Sequence, residues 1–251
     1  MGFKVHPRRR VSSTQVLARE FLNRGAAMGT VVVAREQDQG RGRGNRVWVS
    51  PPGGLYASVL LPADPLLSPR AGIAVASALR AFGAQARLKW PNDVLIEAKK
   101  VGGILIEAVG GTAIVGIGVN LVTSPVPGAT CLARVASSSP SPERLLERIL
   151  EELFWDPPSR LLDRYSELSA TIGCMVRVER GPADRGRSIV GKAQGVDRLG
   201  RLLVLDDEGI LETVVSGDCT HLRHDESLEA AGGGVRRWTC GTGSGTERRE
   251  R

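Results

Sequence analysis

The stretch KWPNDVLIEAKKVGGILIEAVGGTAIVGIGVNL, residues 89–121, decides the fold. Its runs of Val, Leu and Ile are short, and turn-forming sequences such as Pro-Asn-Asp and Gly-Gly separate them. Short apolar runs between turn residues are typical of strands. The stretch therefore predicts several neighbouring strands of one mixed sheet.

Segments on both sides of this stretch carry helical signals. SSTQVLAREFLNRGA at 12–26 begins with a Ser/Thr cluster, and SPRAGIAVASALRAFG at 68–83 begins with Ser-Pro and ends in Gly. Residues 141–169 are helical in pattern on both sides of a Pro-Pro break, which predicts two helices. Further strands are predicted at 30–34 and 54–62. The interleaving predicts an α+β class, with an α/β-type mixed sheet and helices.

The character of the sequence changes after Thr171. Short alternating runs such as GCMVRVERG and GRLLVLDDEG are separated by Gly and Asp, which predicts a small β-barrel of about 50 residues. A final stretch rich in Gly, Ser, Thr and charge predicts a disordered tail. The predicted organisation is a basic leader at 1–10, a mixed-sheet domain at 11–170, a barrel at 171–224 and a tail at 225–251.

Composition describes an ordinary globular chain. Of its 251 residues 41% are apolar and 24% charged, and no run approaches the roughly 18 apolar residues of a membrane span. Four well-separated cysteines form no CxxC pair, and no apolar stretch follows the basic start, so we expect reduced thiols and a cytoplasmic location. The net charge is +7, but four of these charges lie in residues 1–10, which weakens a nucleic-acid interpretation.

QDQGRGRGNRVWVSPPGG, residues 37–54, combines glycines with arginines. Glycine lets the backbone approach a ligand closely, and the forked guanidinium of arginine suits carboxylate and phosphate groups. The stretch fits an anion clamp that orders on binding; a solvated or RGG-like linker is the alternative that composition leaves open. It lacks the Gly-Lys-Ser/Thr ending of a P-loop, so that phosphate cradle is excluded.

Three shorter features accompany that stretch. KWPND at 89–93 has good turn chemistry, but a turn alone does not explain its Lys and Trp. Lys100 precedes a strand beside Gly102 and Gly103, so it is either a ligand-facing cation or an ordinary strand-end lysine. Asn120 ends the run GIGVN with an amide that both donates and accepts. The sequence suggests neither a Ser-His-Asp arrangement nor a metal-ligand cluster.

The ordered combination of these pieces resembles the biotin–protein ligase family. The resemblance runs from about Ser12 to His224, and the GRGR…W.SP.GG and KWPND elements are highly specific to it. It implies a catalytic domain of the biotin/lipoate ligase type followed by a small SH3-like barrel. It also implies an enzyme that uses ATP and Mg²⁺ to activate biotin as biotinyl-5′-AMP and links biotin to a lysine of a carboxylase carrier domain.

The resemblance places the family's roles on matching positions of this chain. The biotin contacts fall on Ser13, Thr14, Gln15, Gln37, Gly40, Arg41, Gly42, Arg43, Lys100 and Gly103. The nucleotide contacts fall on Arg43, Trp48, Asn92 and Asn120, and the catalytic roles on Lys100, Arg43 and Asp93. No dedicated protein metal site is implied, because Mg²⁺ arrives with ATP; Asp93 is a candidate contact for Mg²⁺ or for the acceptor lysine.

Two positions depart from the family pattern. Gln15 stands where the family normally has Asn, and Asn45 stands where it often has Gly. Asn tolerates a positive φ better than most residues, so the loop that closes over biotin and the adenylate can survive the second change.

Three other interpretations remain open from the sequence. A lipoate or octanoate ligase shares the fold and a comparable lysine, although it gives no reason for KWPND and GRGR together. A bifunctional ligase and DNA-binding repressor needs a winged-helix domain, and only ten residues precede Val11. A non-enzymatic module would bind RNA or an acidic partner with strong salt dependence. The ligase interpretation implies a monomer or homodimer with no DNA or membrane partner.

Overall fold

The computed structural model describes residues 2–136, 139–153, 157–180 and 188–222. The chain divides into two compact units between Ser169 and Ala170. The tail predicted at 225–251 lies outside the described residues.

A seven-stranded mixed sheet forms the centre of the first unit. Its strands are β1 Lys4–Val11, β2 Thr30–Gln37, β3 Gly54–Pro62, β4 Arg87–Lys89, β5 Asp93–Ile96, β6 Lys99–Val109 and β7 Thr112–Asn120. They pair in the order β1-β2-β3-β7-β6-β5-β4. β1 and β2 run parallel, and the other neighbouring pairs are antiparallel. The mixed sheet predicted from residues 89–121 is confirmed, and that stretch supplies β5, β6 and β7.

The segment predicted as a basic leader is instead part of this sheet. β1 pairs with β2 along most of its length, and it lies at the sheet edge. An edge strand has one side open to solvent, so it tolerates a run of charged side chains. Arg10 Nε donates to Asp38 Oδ1 at 2.8 Å, and this hydrogen bond holds the pKa of the Asp38 carboxyl below its ordinary value. The charge of residues 1–10 therefore reflects an exposed edge.

Helices cover both faces of the sheet. They are α1 Thr14–Asn23, α2 Leu67–Ala81, α3 Pro142–Glu152 and α4 Pro158–Leu168, and the last two confirm the helices predicted around the Pro-Pro break. Ala18 of α1 packs with Val32, Leu60 and Ile114 in one buried cluster. Every residue of β3 before Pro62 is buried, so both faces of this central strand are covered. Within the described residues, no helix is long and apolar enough to span a membrane.

The second unit is an antiparallel sheet. Its strands are β8 Met175–Arg180, β9 Ser188–Val196, β10 Leu202–Leu205, β11 Leu211–Val214 and β12 Gly217–His221. They pair in the order β11-β10-β9-β8-β12. β8 alternates between buried and more exposed residues, as a strand with one face on a core does. The sheet agrees with the predicted small SH3-like domain. β11 and β12 are its two edges among the described residues, so no closed barrel is seen there.

The described cysteines are not all in the same state. Cys131 and Cys219 are buried free thiols, whereas Cys174 is disulfide-bonded. The reduced thiols expected from the sequence are seen at Cys131 and Cys219 and not at Cys174.

Tyr56 anchors the segment that leads into β3, and its burial predicts a pH effect. Its hydroxyl donates to the Pro51 carbonyl at 2.7 Å, and burial raises its pKa from 10.0 to about 12. Folding therefore favours the neutral phenol: this contribution to stability is intact below pH 10 and is lost as the pH rises towards 12. We expect the urea concentration at the midpoint of unfolding to fall as the pH rises from 10.0 to about 12. The fall should be smaller in Tyr56→Phe, which has no phenol to ionise. A variant with the wild-type pH profile would contradict a buried, neutral Tyr56.

Candidate active site

Residues 38–53 form a short ordered hairpin, here called the Gly/Arg hairpin. Isolated bridges pair Gln37 with Ser50 and Arg41 with Val47, so the two arms run antiparallel. The solvated linker that composition left open is therefore wrong for this stretch, because its arms are joined to each other.

The tip of the Gly/Arg hairpin is a 3-10 turn at Arg43–Asn45. Gly44 and Asn45 both have a positive φ, 59° and 62°. Asn45 thus adopts the conformation for which glycine is the usual residue, as its tolerance of positive φ predicted.

Gly40 allows the base of the hairpin to close. The Trp48 N–H donates to the Gly40 carbonyl at 2.8 Å. A Cβ at Gly40 would lie 2.2 Å from the Trp48 carbonyl oxygen and 2.6 Å from Ser50 Oγ. Any side chain at this position would therefore push the two arms apart.

Two adjacent glycines form a flat surface beside the hairpin. Gly103 of β6 pairs with Gly118 of β7, and the Trp48 indole lies over both. A Cβ at Gly118 would come 2.6 Å from the indole Nε1, and one at Gly103 would come 3.1 Å from Cζ3. Lys100 Nζ lies 5.4 Å from the centroid of the same ring. The indole Nε1 is buried and has no hydrogen-bond partner within the described residues.

The predicted catalytic groups meet where β5 and β6 begin. Lys100 Nζ lies 2.5 Å from Asp93 Oδ1, and 38% and 25% of these side chains are exposed. Arg43 Nη1 donates to Asn92 Oδ1 at 2.9 Å, which links the tip of the hairpin to the KWPND turn. Ion pairs as exposed as that of Lys100 contribute only about 0–1 kcal/mol. An anionic ligand can therefore replace Asp93 as the partner of Lys100 at little cost.

Glu107 was not identified from the sequence. It accepts a hydrogen bond from Arg19 Nη2 at 2.8 Å, and its other carboxylate oxygen lies 3.7 Å from Arg41 Nη1. It thereby connects α1 and the hairpin to β6. The one signal in the sequence is an acid within the apolar run GGILIEAV.

The two predicted nucleotide-side amides are held by backbone groups. Asn92 Nδ2 donates to the Ile104 carbonyl at 2.7 Å, and the Ile104 N–H donates to the Asn92 carbonyl at 2.9 Å. Asn120 Nδ2 donates to the Thr130 carbonyl at 3.1 Å, and the Thr130 N–H donates to the Lys100 carbonyl at 2.9 Å. Asn120 Oδ1 is buried without a partner in the described part of the chain.

Buried polar groups join the start of α1 to the base of the hairpin. The Thr14 N–H donates to Gln37 Oε1 at 2.8 Å. Gln37 Nε2 donates to Ser50 Oγ at 2.8 Å, and Ser50 Oγ donates to the Trp48 carbonyl at 2.9 Å. Ser13 Oγ is buried and lacks a hydrogen-bond partner among the described residues. This end of the site therefore contains fixed acceptors and one unused hydroxyl.

The Gln15 side chain points into the protein interior. Its Nε2 donates to the Ile114 carbonyl at 3.0 Å, and its Oε1 lies 2.9 Å from Ser58 Oγ. Ser58 Oγ also lies 2.9 Å from Thr14 Oγ1. Ser58 is 0% exposed and was missed by sequence reasoning. Its signal is a lone hydroxyl in the apolar strand sequence LYASVLL.

Comparisons with known proteins agree with this fold. The model of the biotin/lipoate A/B protein ligase family matches residues 8–123, and that of the biotin protein ligase C-terminal domain matches residues 171–222. A biotin–[acetyl-CoA-carboxylase] ligase of Mycobacterium tuberculosis is 34% identical over 216 residues, which cover 78% of this chain and 80% of that protein. The bifunctional ligase/repressor BirA of Bacillus subtilis is 35% identical over 229 residues, which cover 80% of this chain and 69% of that protein.

A solved structure extends the similarity to the backbone. The biotin protein ligase of Aquifex aeolicus in complex with biotin and ATP is 31% identical, and the match covers 88% of this chain and 99% of that one with a TM-score of 0.73. The chain belongs to the biotin/lipoate A/B protein ligase family and, within it, to the biotin–protein ligases. The resemblance carried by GRGR and KWPND is thereby confirmed.

The close packing at Gly40 predicts how the hairpin responds to a methyl group. We expect Gly40→Ala to open the base of the hairpin, because the added Cβ meets backbone and a hydroxyl. Limited trypsin digestion followed by mass spectrometry should show faster cleavage after the three hairpin arginines. Gly111→Ala is the matched control, since no atom lies within 4 Å of its added Cβ. Equal cleavage rates in the two variants would contradict the role given to Gly40.

Proposed function

We propose that this protein activates biotin with MgATP to form biotinyl-5′-AMP and then transfers biotin to a lysine of a carboxylase carrier domain. Support comes from the biotin-ligase relatives and from the buried polar end of the site. That end offers an unused hydroxyl at Ser13 beside oxygens of Thr14 and Gln37 that can accept hydrogen bonds. One hydroxyl donor beside two acceptor oxygens suits a cyclic urea, which has one carbonyl and two N–H groups.

A count of hydrogens carries this proposal. Four oxygens follow one another as Gln15 Oε1, Ser58 Oγ, Thr14 Oγ1 and Gln37 Oε1, at 2.9, 2.9 and 3.1 Å. Both amides are held in one orientation, because Gln15 Nε2 donates to a backbone carbonyl and Gln37 Oε1 accepts a backbone N–H. The two hydroxyls supply two hydrogens for three contacts. Thr14 is the only possible donor in the 3.1 Å contact with Gln37 Oε1. We assign its hydrogen to Ser58 instead, so that both oxygens of this longest contact can accept an N–H from a ligand.

The ureido ring of biotin has the matching groups. Its N–H groups donate to the oxygens of Thr14 and Gln37, and its carbonyl accepts from the Ser13 hydroxyl. The dithiolane ring of lipoate has no N–H group, so it would leave these buried polar groups without partners. An unsatisfied buried polar group costs about 1–3 kcal/mol. The site therefore favours biotin over lipoate.

The cationic end of the site suits the first chemical step. Arg41, Arg43 and Lys100 would hold the biotin carboxylate and the α-phosphate together against their mutual repulsion. A carboxylate oxygen attacks the α-phosphorus, the bond from that phosphorus to the bridging oxygen breaks, and pyrophosphate leaves. In this step Lys100 exchanges Asp93 for the reacting anions. No protein nucleophile is needed.

MgATP is the nucleotide substrate in this proposal. Mg²⁺ usually keeps several waters and binds one or two carboxylates together with substrate phosphates. The Asp93 carboxylate, 25% exposed beside Lys100, fits that kind of contact. Asn92 and Arg43 would flank the phosphates, while the unpartnered Trp48 Nε1 and Asn120 Oδ1 offer the base one donor and one acceptor.

The second step transfers the acyl group. The amine of the acceptor lysine attacks the acyl carbon, the bond from that carbon to the phosphate oxygen breaks, and AMP leaves. Asp93 would receive the proton that the amine loses. The Gly/Arg hairpin would keep water from the mixed anhydride until the carrier arrives. The backbone of Gly40 and Gly42 and the surface at Gly103 would form part of this cover.

The two domains would have separate roles in this function. Residues 11–170 would carry both chemical steps, and residues 171–224 would form the C-terminal domain of the ligase. The partners are biotin, ATP and the carrier domain, in the cytoplasm, with the enzyme acting as a monomer or homodimer. Neither DNA nor a membrane is required.

The proposed function predicts a mass change on a carrier domain. Incubation of the protein with biotin, MgATP and a carrier domain should add one biotinyl group to the carrier, as measured by intact mass spectrometry. Lipoate in place of biotin should give no such product, and omission of ATP should abolish the reaction. Modification by lipoate alone would identify a lipoate ligase. Salt-dependent RNA binding without biotin-dependent pyrophosphate release would identify a binding module.

Lys100 is predicted to act mainly in the first step. We expect Lys100→Ala to reduce biotin-dependent pyrophosphate release by about 10²-fold, because a fixed positive charge near the reacting phosphate is lost. Transfer from synthetic biotinyl-5′-AMP to the carrier should be much less affected. Normal pyrophosphate release by the variant would remove Lys100 from the reaction.

Arg43 is predicted to retain the intermediate. We expect Arg43→Ala to speed the release of biotinyl-5′-AMP by roughly tenfold or more, since hydrogen bonds to charged groups contribute about 1.5–3 kcal/mol. Labelling of the carrier should fall in parallel. Arg35→Ala, an exposed arginine on β2, is the control. If Arg43→Ala retains the adenylate as long as this control does, the role is refuted.

A further inference from the structure

We propose that Ser58 and Gln15 are positioning residues that aim the hydroxyl of Thr14 away from the ligand. In this arrangement Thr14 and Gln37 both present lone pairs, so the pocket selects a head group that donates N–H. The inference rests on the proposed function, because it concerns how the biotin head is recognised. It concerns residues that act on the ligand only through Thr14.

The hydrogen-bonded series from Gln15 through Ser58 to Thr14, here called the relay, begins at a fixed point in the sheet. The Ile114 carbonyl of β7 accepts from Gln15 Nε2, so the Gln15 oxygen must face Ser58. Gly116 provides the space for the long Gln15 side chain, since a Cβ there would lie 2.7 Å from Gln15 Oε1. Gln15 is 3% exposed and Ser58 0% exposed. Solvent therefore cannot supply alternative partners, and the protein alone decides the direction of these hydrogen bonds.

The orientation of the Ser58 hydroxyl then sets the orientation of the Thr14 hydroxyl. Gln15 Oε1 has no hydrogen, so only Ser58 can donate in that contact, and the proposal commits the single Ser58 hydrogen to it. Ser58 Oγ can then only accept in its 2.9 Å contact with Thr14 Oγ1, so the Thr14 hydrogen is directed to Ser58 rather than to Gln37. With that hydrogen committed, Thr14 Oγ1 faces Gln37 Oε1 as one acceptor beside another, 3.1 Å apart. A ligand N–H placed between these two oxygens donates a hydrogen bond and removes the repulsion between their lone pairs.

Removal of the relay should reverse the Thr14 hydroxyl. In Ser58→Ala the Thr14 hydrogen loses its acceptor and turns to Gln37 Oε1, which occupies the lone pair that the ligand needs. We expect the KM for biotin to rise roughly 5- to 30-fold, the ratio that corresponds to a buried hydrogen bond of 1–2 kcal/mol. The KM for ATP and the kcat at saturating biotin should stay within twofold of wild type, measured by pyrophosphate release.

Desthiobiotin separates this relay from direct contact with the ligand. It keeps the ureido group and lacks the thioether sulfur, so a defect that acts through Thr14 should raise the KM for both ligands by the same factor. A defect confined to biotin would show that Ser58 contacts the sulfur side of the ring, and the relay would be refuted. An unchanged KM for both ligands would refute it as well.

Gln15→Met provides the second, independent test. Methionine has a similar length and no acceptor oxygen, so the Ser58 hydrogen should turn to Thr14 and displace the Thr14 hydrogen towards Gln37. The KM for both ligands should rise again, while a wild-type KM in this variant would refute the relay even if Ser58→Ala is defective. Thr30→Val is the control, since it removes a hydroxyl that is 5% exposed and bonded to Ala27 outside the relay.

Melting temperatures of the three variants show whether a change reflects folding. A KM increase in the two relay variants with a wild-type KM in Thr30→Val at a similar loss of stability supports the relay. An equal KM increase in Thr30→Val overturns it. If the wild-type protein itself shows no biotin-dependent pyrophosphate release, the proposed function fails; if only the relay variants behave as wild type, the relay alone fails.

Discussion

The side-chain amide of Gln37 is the interaction on which the site depends. Its oxygen accepts the backbone N–H of Thr14, and its nitrogen donates to Ser50, so one amide connects the start of α1 to both arms of the Gly/Arg hairpin. Gly40 lets the arms close over this amide. All of these groups lie at the hairpin base, so they fix where the hairpin begins. The tip is held separately, by the hydrogen bond from Arg43 to Asn92.

The two ends of the site are built on opposite physical principles. At the buried end, polar atoms are bonded in a fixed order, and the cost of leaving one unsatisfied is high. At the exposed end, Lys100 pairs with Asp93, and Arg41 lies near Glu107; such pairs are weak enough to be exchanged for ligand anions. In the proposed function, recognition therefore belongs to the buried end, whereas the exposed end would provide charge once the substrates displace the carboxylates.

Sequence patterns predicted most of the sheet, but not the contacts that join the residues of the candidate site. The apolar run before Pro62 was located at 54–62, and the structure has β3 at those residues. The charges of residues 4–11 concealed an edge strand, because exposure at an edge looks like exposure in a leader. Ser58 and Glu107 were missed since each is a single polar residue in an apolar strand. Their partners lie 44 and 88 residues away in Thr14 and Arg19, a distance that no local pattern spans.

The difference between the two ends also bears on selectivity within this fold. A purely apolar pocket separates ligands of similar shape by only about 1–3 kcal/mol for each methylene gained or lost. A pocket with a committed hydroxyl at Thr14, an amide at Gln37 and an unused hydroxyl at Ser13 loses about 1–3 kcal/mol for every one of them that a ligand fails to satisfy. The losses act together against a ring without N–H groups, whereas a cyclic urea satisfies all three. In the proposed relay, discrimination rests on the direction of a few buried hydrogens, and the interior residues that set this direction would contribute to specificity without touching the ligand.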